Sequence, residues 1–404
     1  MNAAVSAVLL YAHLSLQAAQ VSALAVSPDV AIARGKVQEA QALYDQAKAT
    51  YGPALTANYA QVPQAGATNN VVTQRLTTVG AAWMLGDLFA NSPAVAQAHA
   101  ALSAARLSLT DAERNEQIAV IAAYYAALEA QAALNARSQE LAAANAELRA
   151  ASLRFSAGDA PRLDVVRATV AVAAAQGDLA RAQADADDTA AALAAETGLP
   201  DGVLQSKVTT QLDIAPMNVD AATAAREALA ARPDVAAVRQ NVEAEEHAVV
   251  VTRRAGWPLV TLSAGYTEGV DTGIPVSGAS AAVDVTIPIT GAAHDRVRAE
   301  EARLDQSRAQ LQKVERKVSL EVASAVRAYQ AQTSALLASQ HALQAAQAEF
   351  SATQVGYRSG AVSSLDVEAA RTTYVQVLVD EISSLYAQAR ARAALNLVLG
   401  QAHE

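Results

Sequence analysis

Few residues in this chain are placed to do chemistry. Its six histidines, His13, His99, His247, His294, His341 and His403, are scattered along 404 residues. Only His247 has acidic company, with Glu246 beside it and Glu243 one helical turn before. That spacing puts Glu243 and His247 on one helix face. A metal centre needs about three or four convergent ligands, so a solvated, charged face is the simpler reading. There are no cysteines, which excludes disulfides and thiolate metal sites. No glycine-rich phosphate loop, nucleophile elbow or supported carboxylate pair occurs. The residues therefore predict no enzyme, no metal and no cofactor. Two carboxylates stand out, Asp164 and Asp366, because their setting recurs. The first lies in Phe155-Ser-Ala-Gly158-Asp-Ala-Pro161-Arg-Leu163-Asp164-Val165, the second in Tyr357-Arg-Ser-Gly360-Ala-Val-Ser363-Ser-Leu365-Asp366-Val367.

Each stretch reads as a tight turn between two helices. A glycine supplies the left-handed residue that ends the incoming helix, and Pro161 or the Ser363-Ser364 pair starts the outgoing one. Gly158 to Gly360, Leu163 to Leu365, Asp164 to Asp366 and Gly198 to Gly400 are all 202 positions apart. An earlier pair of landmarks, Ser27-Pro28-Asp29 and Arg232-Pro233-Asp234, is offset by 205, as are Pro53 and Pro258. The drift from 205 to 202 predicts small insertions or deletions in the segment between. A duplication follows, with a first repeat over 1–198, a linker over 199–220 and a second repeat over 221–404.

Composition agrees. Hydrophobic residues make up 52% but aromatics only 4%, and much of the apolar content is alanine, which suits long helices packed through small side chains. Val120, Ala127, Leu134, Leu141, Leu148 and Phe155 recur every seven residues, accompanied by Ala123, Ala130, Ala144 and Ala151, with Arg137 breaking the companion series. Val322, Tyr329, Leu336, Leu343, Phe350 and Tyr357 repeat the pattern. A sustained heptad seam means supercoiled helices. At about 1.5 Å per residue each would span roughly 95 Å. The net charge of −10 comes from 40 acidic and 30 basic residues, with no basic block longer than a pair, so nucleic acid is an improbable partner.

Between the short opening helices and the long ones the period changes to two. Val260, Leu262, Ala264 and Tyr266 alternate with Thr261, Ser263 and Gly265; Ala281, Val283, Val285, Ile287 and Ile289 alternate with polar or small residues. The first half shows a noisier version at Leu55, Ala57 and Tyr59, then Val79, Ala81, Trp83 and Leu85. Each half thus holds a pair of strands of about ten residues, joined through 63–70 or 268–278. Both tryptophans, Trp83 and Trp257, fall there, as an aromatic girdle at a membrane interface would require. Four strands cannot close a barrel, so strands that span a membrane must be pooled by several chains. Three chains supply twelve. No 18-residue apolar run suggests a transmembrane helix. The first 16 residues lack a basic leader region, so they make a poor signal peptide. An exported protein would carry its signal upstream of Met1 or have lost it.

The doubled pattern resembles the TolC-like outer-membrane efflux proteins over essentially the whole chain. The carriers are the two turns quoted above, the opening Leu14-Ser-Leu helix running to Ser27-Pro-Asp-Val30, and its echo at Arg232. The resemblance implies a mainly α fold with a membrane β-barrel portion, built of duplicated antiparallel coiled-coil hairpins. It implies a homotrimer with a twelve-stranded barrel in the bacterial outer membrane and a helical tunnel in the periplasm. It also implies docking of a periplasmic membrane-fusion adaptor that links an inner-membrane pump. Such a protein conducts solutes passively. The turns at Gly158, Leu163, Gly360 and Leu365 would be the tips that meet the adaptor. Asp164 and Tyr357 match positions where hydrogen bonds hold outer and inner coils together. The family can place an arginine two residues after the second tip glycine, but Val362 stands there, leaving Arg358 or Arg162 to substitute. Asp366 matches the position of an acidic ring at the tunnel entrance. The competing reading is a soluble coiled-coil scaffold without channel activity, which would have no use for the period-two strands.

Overall fold

The computed structural model describes residues 15–49, 53–65, 71–84, 93–199, 212, 217–271, 274–287 and 292–399. Among them the order of elements is α1 (Leu16–Val26), α2 (Pro28–Ala49), β1 (Ala54–Ala65), β2 (Val71–Met84), α3 (Pro93–Ala157), α4 (Arg162–Thr197), α5 (Ala221–Ala231), α6 (Pro233–Arg254), β3 (Leu259–Asp271), β4 (Ile274–Thr286), α7 (Ala292–Arg358) and α8 (Ser364–Val398). The chain divides into two units. One comprises residues 1–32, 110–232 and 316–404, and the other residues 33–109 and 233–315. The expected strand at 208–212 lies outside the described residues apart from Leu212, which is in no strand. Gly400, Leu85, Ile289, His13 and His403 also lie outside them.

Local chemistry sets the helix boundaries of the first unit. Ser15 caps α1 through a bond from the Ala18 amide, and Asp220 caps α5 through the Thr223 amide. The opening helix is not continuous: α1 and α2 meet at Ser27 with a bend of 54°, because Pro28 cannot extend α1 but suits a first helical position. Arg232 and Pro233 repeat the break between α5 and α6. Both breaks are tied to a long helix by a polar bond. Ser27 Oγ donates to Glu116 at 2.7 Å, and the Arg232 guanidinium donates to Glu321 at 3.0 Å. These four residues keep the offset of 205. The change to 202 therefore falls C-terminal to Glu116 and Glu321, inside α3 and α7, and not in the strands. Three residues are close to one helical turn, so the seam stays on nearly the same face.

The seam is buried as the heptads predict, up to a point. Val120, Ala127, Val322, Tyr329 and Leu336 are buried, and Ala144 packs with Val172 and Ala175 across α3 and α4. A second cluster joins Ala19 and Ala23 of α1 to Val120, Tyr124, Leu128 and Leu193. Burial then fades toward the turn: Phe155, the last of its series, is 46% exposed. Arg137, the break in the companion series, ion-pairs with Glu140 and reaches Asp178 of α4 at 3.8 Å. One expectation is corrected: α3 does contain a stretch long and apolar enough by composition to cross a bilayer. Alanine produces it, and the same alanines line the helix contacts.

In the other unit the four strands form one antiparallel sheet in the order β1-β2-β3-β4. The strands have 12 to 14 residues, longer than the alternation alone suggests, and β3 and β4 are separated only by residues 272–273, not by the whole of 268–278. The register places Leu55, Ala81, Ala264 and Ala281 side by side, and likewise Ala57, Val79, Tyr266 and Ala279. Trp83, Leu262 and Val283 form the next row toward the helices, then Val260 and Val285. With about 3.3 Å per residue, these rows make an apolar band roughly 20 Å tall. Toward the far end the same face turns polar at Thr77, Glu268 and Ser277. The opposite face carries Asn58, Thr78, Ser263, Gly265, Thr267, Ser280 and Asp284. There Thr78 and Thr267 hydrogen-bond across strands at 3.0 Å.

A polar side chain on the apolar face should therefore be costly, and one on the opposite face should not. Val79→Arg is expected to lose about 2–4 kcal/mol of stability in lipid, and Thr78→Arg less than about 1 kcal/mol. Urea unfolding from vesicles, run on both variants, reads the difference.

Candidate functional site

The two turns are built alike and finished differently. Gly158 at φ 83° and Gly360 at φ 78° occupy left-handed backbone that other residues enter at a cost. Around the first, the Gly158 amide bonds Phe155 O at 3.1 Å and the Asp159 amide bonds Arg154 O at 2.8 Å. Around the second, the Gly360 amide bonds Tyr357 O at 3.0 Å and the Ala361 amide bonds Gly356 O at 2.8 Å. Both are Schellman closures, in which the carbonyls of the last helical turn are satisfied by the turn itself.

The outgoing helices diverge. Ser363 and Asp366 form a reciprocal capping box on α8: Ser363 donates its amide to Asp366 at 3.0 Å and its hydroxyl at 2.7 Å, and accepts from the Asp366 amide at 3.3 Å. These bonds hold the exposed Asp366 carboxyl below the usual carboxylate range. On α4 the capping position is Pro161, which has no side-chain cap. Asp164, three residues on, is thus free to act elsewhere. It accepts the Ser364 hydroxyl of the other hairpin at 2.7 Å, and Arg167 donates to the same hydroxyl at 3.4 Å. Tyr357 does not bond Asp164; its ring lies under the Arg154 guanidinium, 5.0 Å from the centroid. Both residues line one cavity between the hairpins. Leu163 and Leu365 are 53% and 55% exposed beside the turns.

Below the turns lies a charge cluster that the sequence reading missed. Arg371 of α8 is buried. It bonds Glu368 at 2.6 Å, approaches Glu147 of α3 at 3.6 Å and stands 4.0 Å from Glu140. Burial disfavours its charge, but the hydrogen bond to Glu368 and the fields of the three carboxylates outweigh that and raise its pKa. Burial also pushes Glu147 up, against the pull of Arg371 and with help from Glu368. A signal was available: Val367, Arg371 and Val375 lie at i, i+4 and i+8, one charge in a buried stripe.

Trp83 and Trp257 both sit at the helix-side ends of their strands and are 40% and 65% exposed. His247 approaches Glu243 at 4.0 Å, and no group of three potential ligands occurs among the described residues.

The profile of the family described as "Outer membrane efflux protein" matches residues 20–199 and 224–401. The outer membrane efflux protein BepC of Brucella suis biovar 1 (strain 1330) is 28% identical over 342 residues, covering 82% of this chain and 74% of its own. Among solved structures, the outer membrane protein VceC of Vibrio cholerae superposes with a TM-score of 0.78 at 21% identity, covering 96% of this chain and 97% of its own. CusC superposes with a TM-score of 0.81 at 20% identity, covering 97% and 94%.

Removing Arg371 would leave three carboxylates facing one another. Arg371→Gln is expected to destabilise by about 3 kcal/mol. Glu147→Gln behaves oppositely. Because the folded-state pKa of Glu147 is raised, its charge opposes folding above that pKa, and the opposition fades as pH falls through it. Glu147→Gln should therefore be neutral or stabilising at neutral pH, with its advantage vanishing in acid. Hydrogen exchange of the α8 amides around residue 371, followed against pH, checks both.

Proposed function

The chain belongs to the outer membrane efflux protein family, and we propose that it works as one third of a trimeric tunnel whose tips receive a periplasmic adaptor. As a family member it is a passive channel of the bacterial outer membrane and not an enzyme. The observation that carries the trimer is the sheet. One face is apolar and the other is polar, and among the described residues β1 and β4 each have an unpaired outer edge. A backbone edge in lipid must be satisfied, and a second and third copy satisfy both edges by closing the ring. The apolar band then meets lipid and the threonine- and serine-rich face lines water. Trp83 and Trp257 form the girdle at the helix-side interface. The same band disfavours a soluble scaffold.

The remaining assignments rest on this frame. The repeats are 1–198 and 221–404, joined by 199–220, and each supplies one strand pair and one helical hairpin. The adaptor, coupled to an inner-membrane pump, docks at the turns around Gly158, Leu163, Gly360 and Leu365. Asp164, acting through Ser364, ties the two hairpins, with Tyr357 packed beside it under Arg154. Asp366 serves twice: one oxygen closes the capping box, and the exposed carboxylate still contributes negative potential at the tunnel entrance.

In planar bilayers the purified protein should give discrete conductance steps. Asp366→Asn should shift ion selectivity toward anions by roughly twofold. Unchanged selectivity would remove Asp366 from the entrance, and the absence of any steps would remove the channel.

A further inference from the structure

The cavity between the hairpin tips, about 190 Å³ in volume, is lined by six charged side chains of interest: Glu147, Asp164, Glu368, Arg154, Arg167 and Arg358. Its acids are spent. Glu147 and Glu368 face Arg371, and Asp164 accepts from Ser364. Its bases are not. Among the described residues none of the three arginines has a carboxylate within salt-bridge distance: Arg154 lies on the Tyr357 ring, Arg167 spends one N–H on Ser364, and Arg358 projects from the end of α7. A guanidinium stacked on an aromatic face keeps its N–H edges free and its plane fixed. Three such groups around one solvent-open cavity leave positive charge uncompensated, in a chain whose net charge is −10.

We propose that this cavity is the receptor for an acidic side chain carried by the protein that docks at the tips. The inference rests on the docking reading given above and adds the chemistry of the contact. A glutamate or aspartate entering between Arg154 and Arg358 meets preorganised, bidentate donors. It bridges the first hairpin, through Arg154, to the second, through Arg358. The occupant is a protein segment and not a free anion because the cavity lies among exposed apolar residues, Leu153, Leu163, Val355 and Leu365, which a partner helix would cover.

The probe is a fluorescent oligoglutamate peptide titrated onto the detergent-solubilised full-length channel and read by anisotropy. Oligoglutamine and oligolysine peptides serve as comparisons. Only the acidic peptide should bind. Arg154→Gln with Arg358→Gln should weaken it by about tenfold or more. Arg154→Lys with Arg358→Lys should lose part of this, and Arg181→Gln, a 76% exposed arginine of α4, should lose nothing. No binding to the unmodified channel, equal binding to the glutamine variant, or complete displacement by inorganic phosphate would each overturn the proposal. Conductance of the same preparations in planar bilayers reports folding and channel activity separately. Normal conductance without peptide binding therefore defeats this proposal alone, while lost conductance in the unmodified protein defeats the channel.

Discussion

Everything in this chain answers to one constraint: a backbone edge cannot be left open in hydrocarbon. The sheet has an apolar face suited to lipid, but its order β1-β2-β3-β4 leaves the outer edges of β1 and β4 without a partner among the described residues. No rearrangement of four strands closes a barrel on itself. The chain must borrow strands from copies of itself, and the long helices that continue from the strands are carried into the same symmetry. Oligomer, barrel and tunnel are then one decision.

Duplication supplies the parts and divergence gives them separate tasks. The same polar tie fastens each opening-helix break, once as Ser27–Glu116 and once as Arg232–Glu321. The tips went further apart. A serine at the capping position lets Asp366 close on its own helix, whereas Pro161 has no hydroxyl to offer, so Asp164 reaches across to Ser364. One aspartate became local structure and its copy became a link between hairpins. The buried Arg371 cluster has no counterpart in the first repeat, where Thr169 stands 202 positions earlier, and it adds a charged tie between α3 and α8.

Most of the architecture was legible because its signals are periodic. Alternating residues such as Val260, Leu262 and Ala264 announce a strand, and the heptads from Val120 and Val322 announce the seam. The turns were legible because left-handed glycines have few other uses. Strand ends were not: β3 continues through Thr267 and Glu268 to Asp271, since a strand facing water on one side tolerates polar residues that read as loop. The difference between Asp164 and Asp366 was equally hidden, because their neighbourhoods match in sequence and part only when Pro161 and Ser363 take up backbone positions. The three-residue drift was misplaced for a related reason: within a helix, a shift near one turn leaves the apolar pattern almost unchanged.

The central claim is that β1 of one copy pairs with β4 of the next and that the ring closes. The chain has no cysteines, so engineered pairs report cleanly. Asn58→Cys on β1, combined in turn with a cysteine at each of several β4 positions from Val276 to Asp284, can be oxidised in outer membranes and resolved on a denaturing gel. The account predicts that at least one pair yields a covalent ladder ending at the mass of three chains. A ladder that runs on past three, or pairs that cross-link only within a single chain, would contradict it.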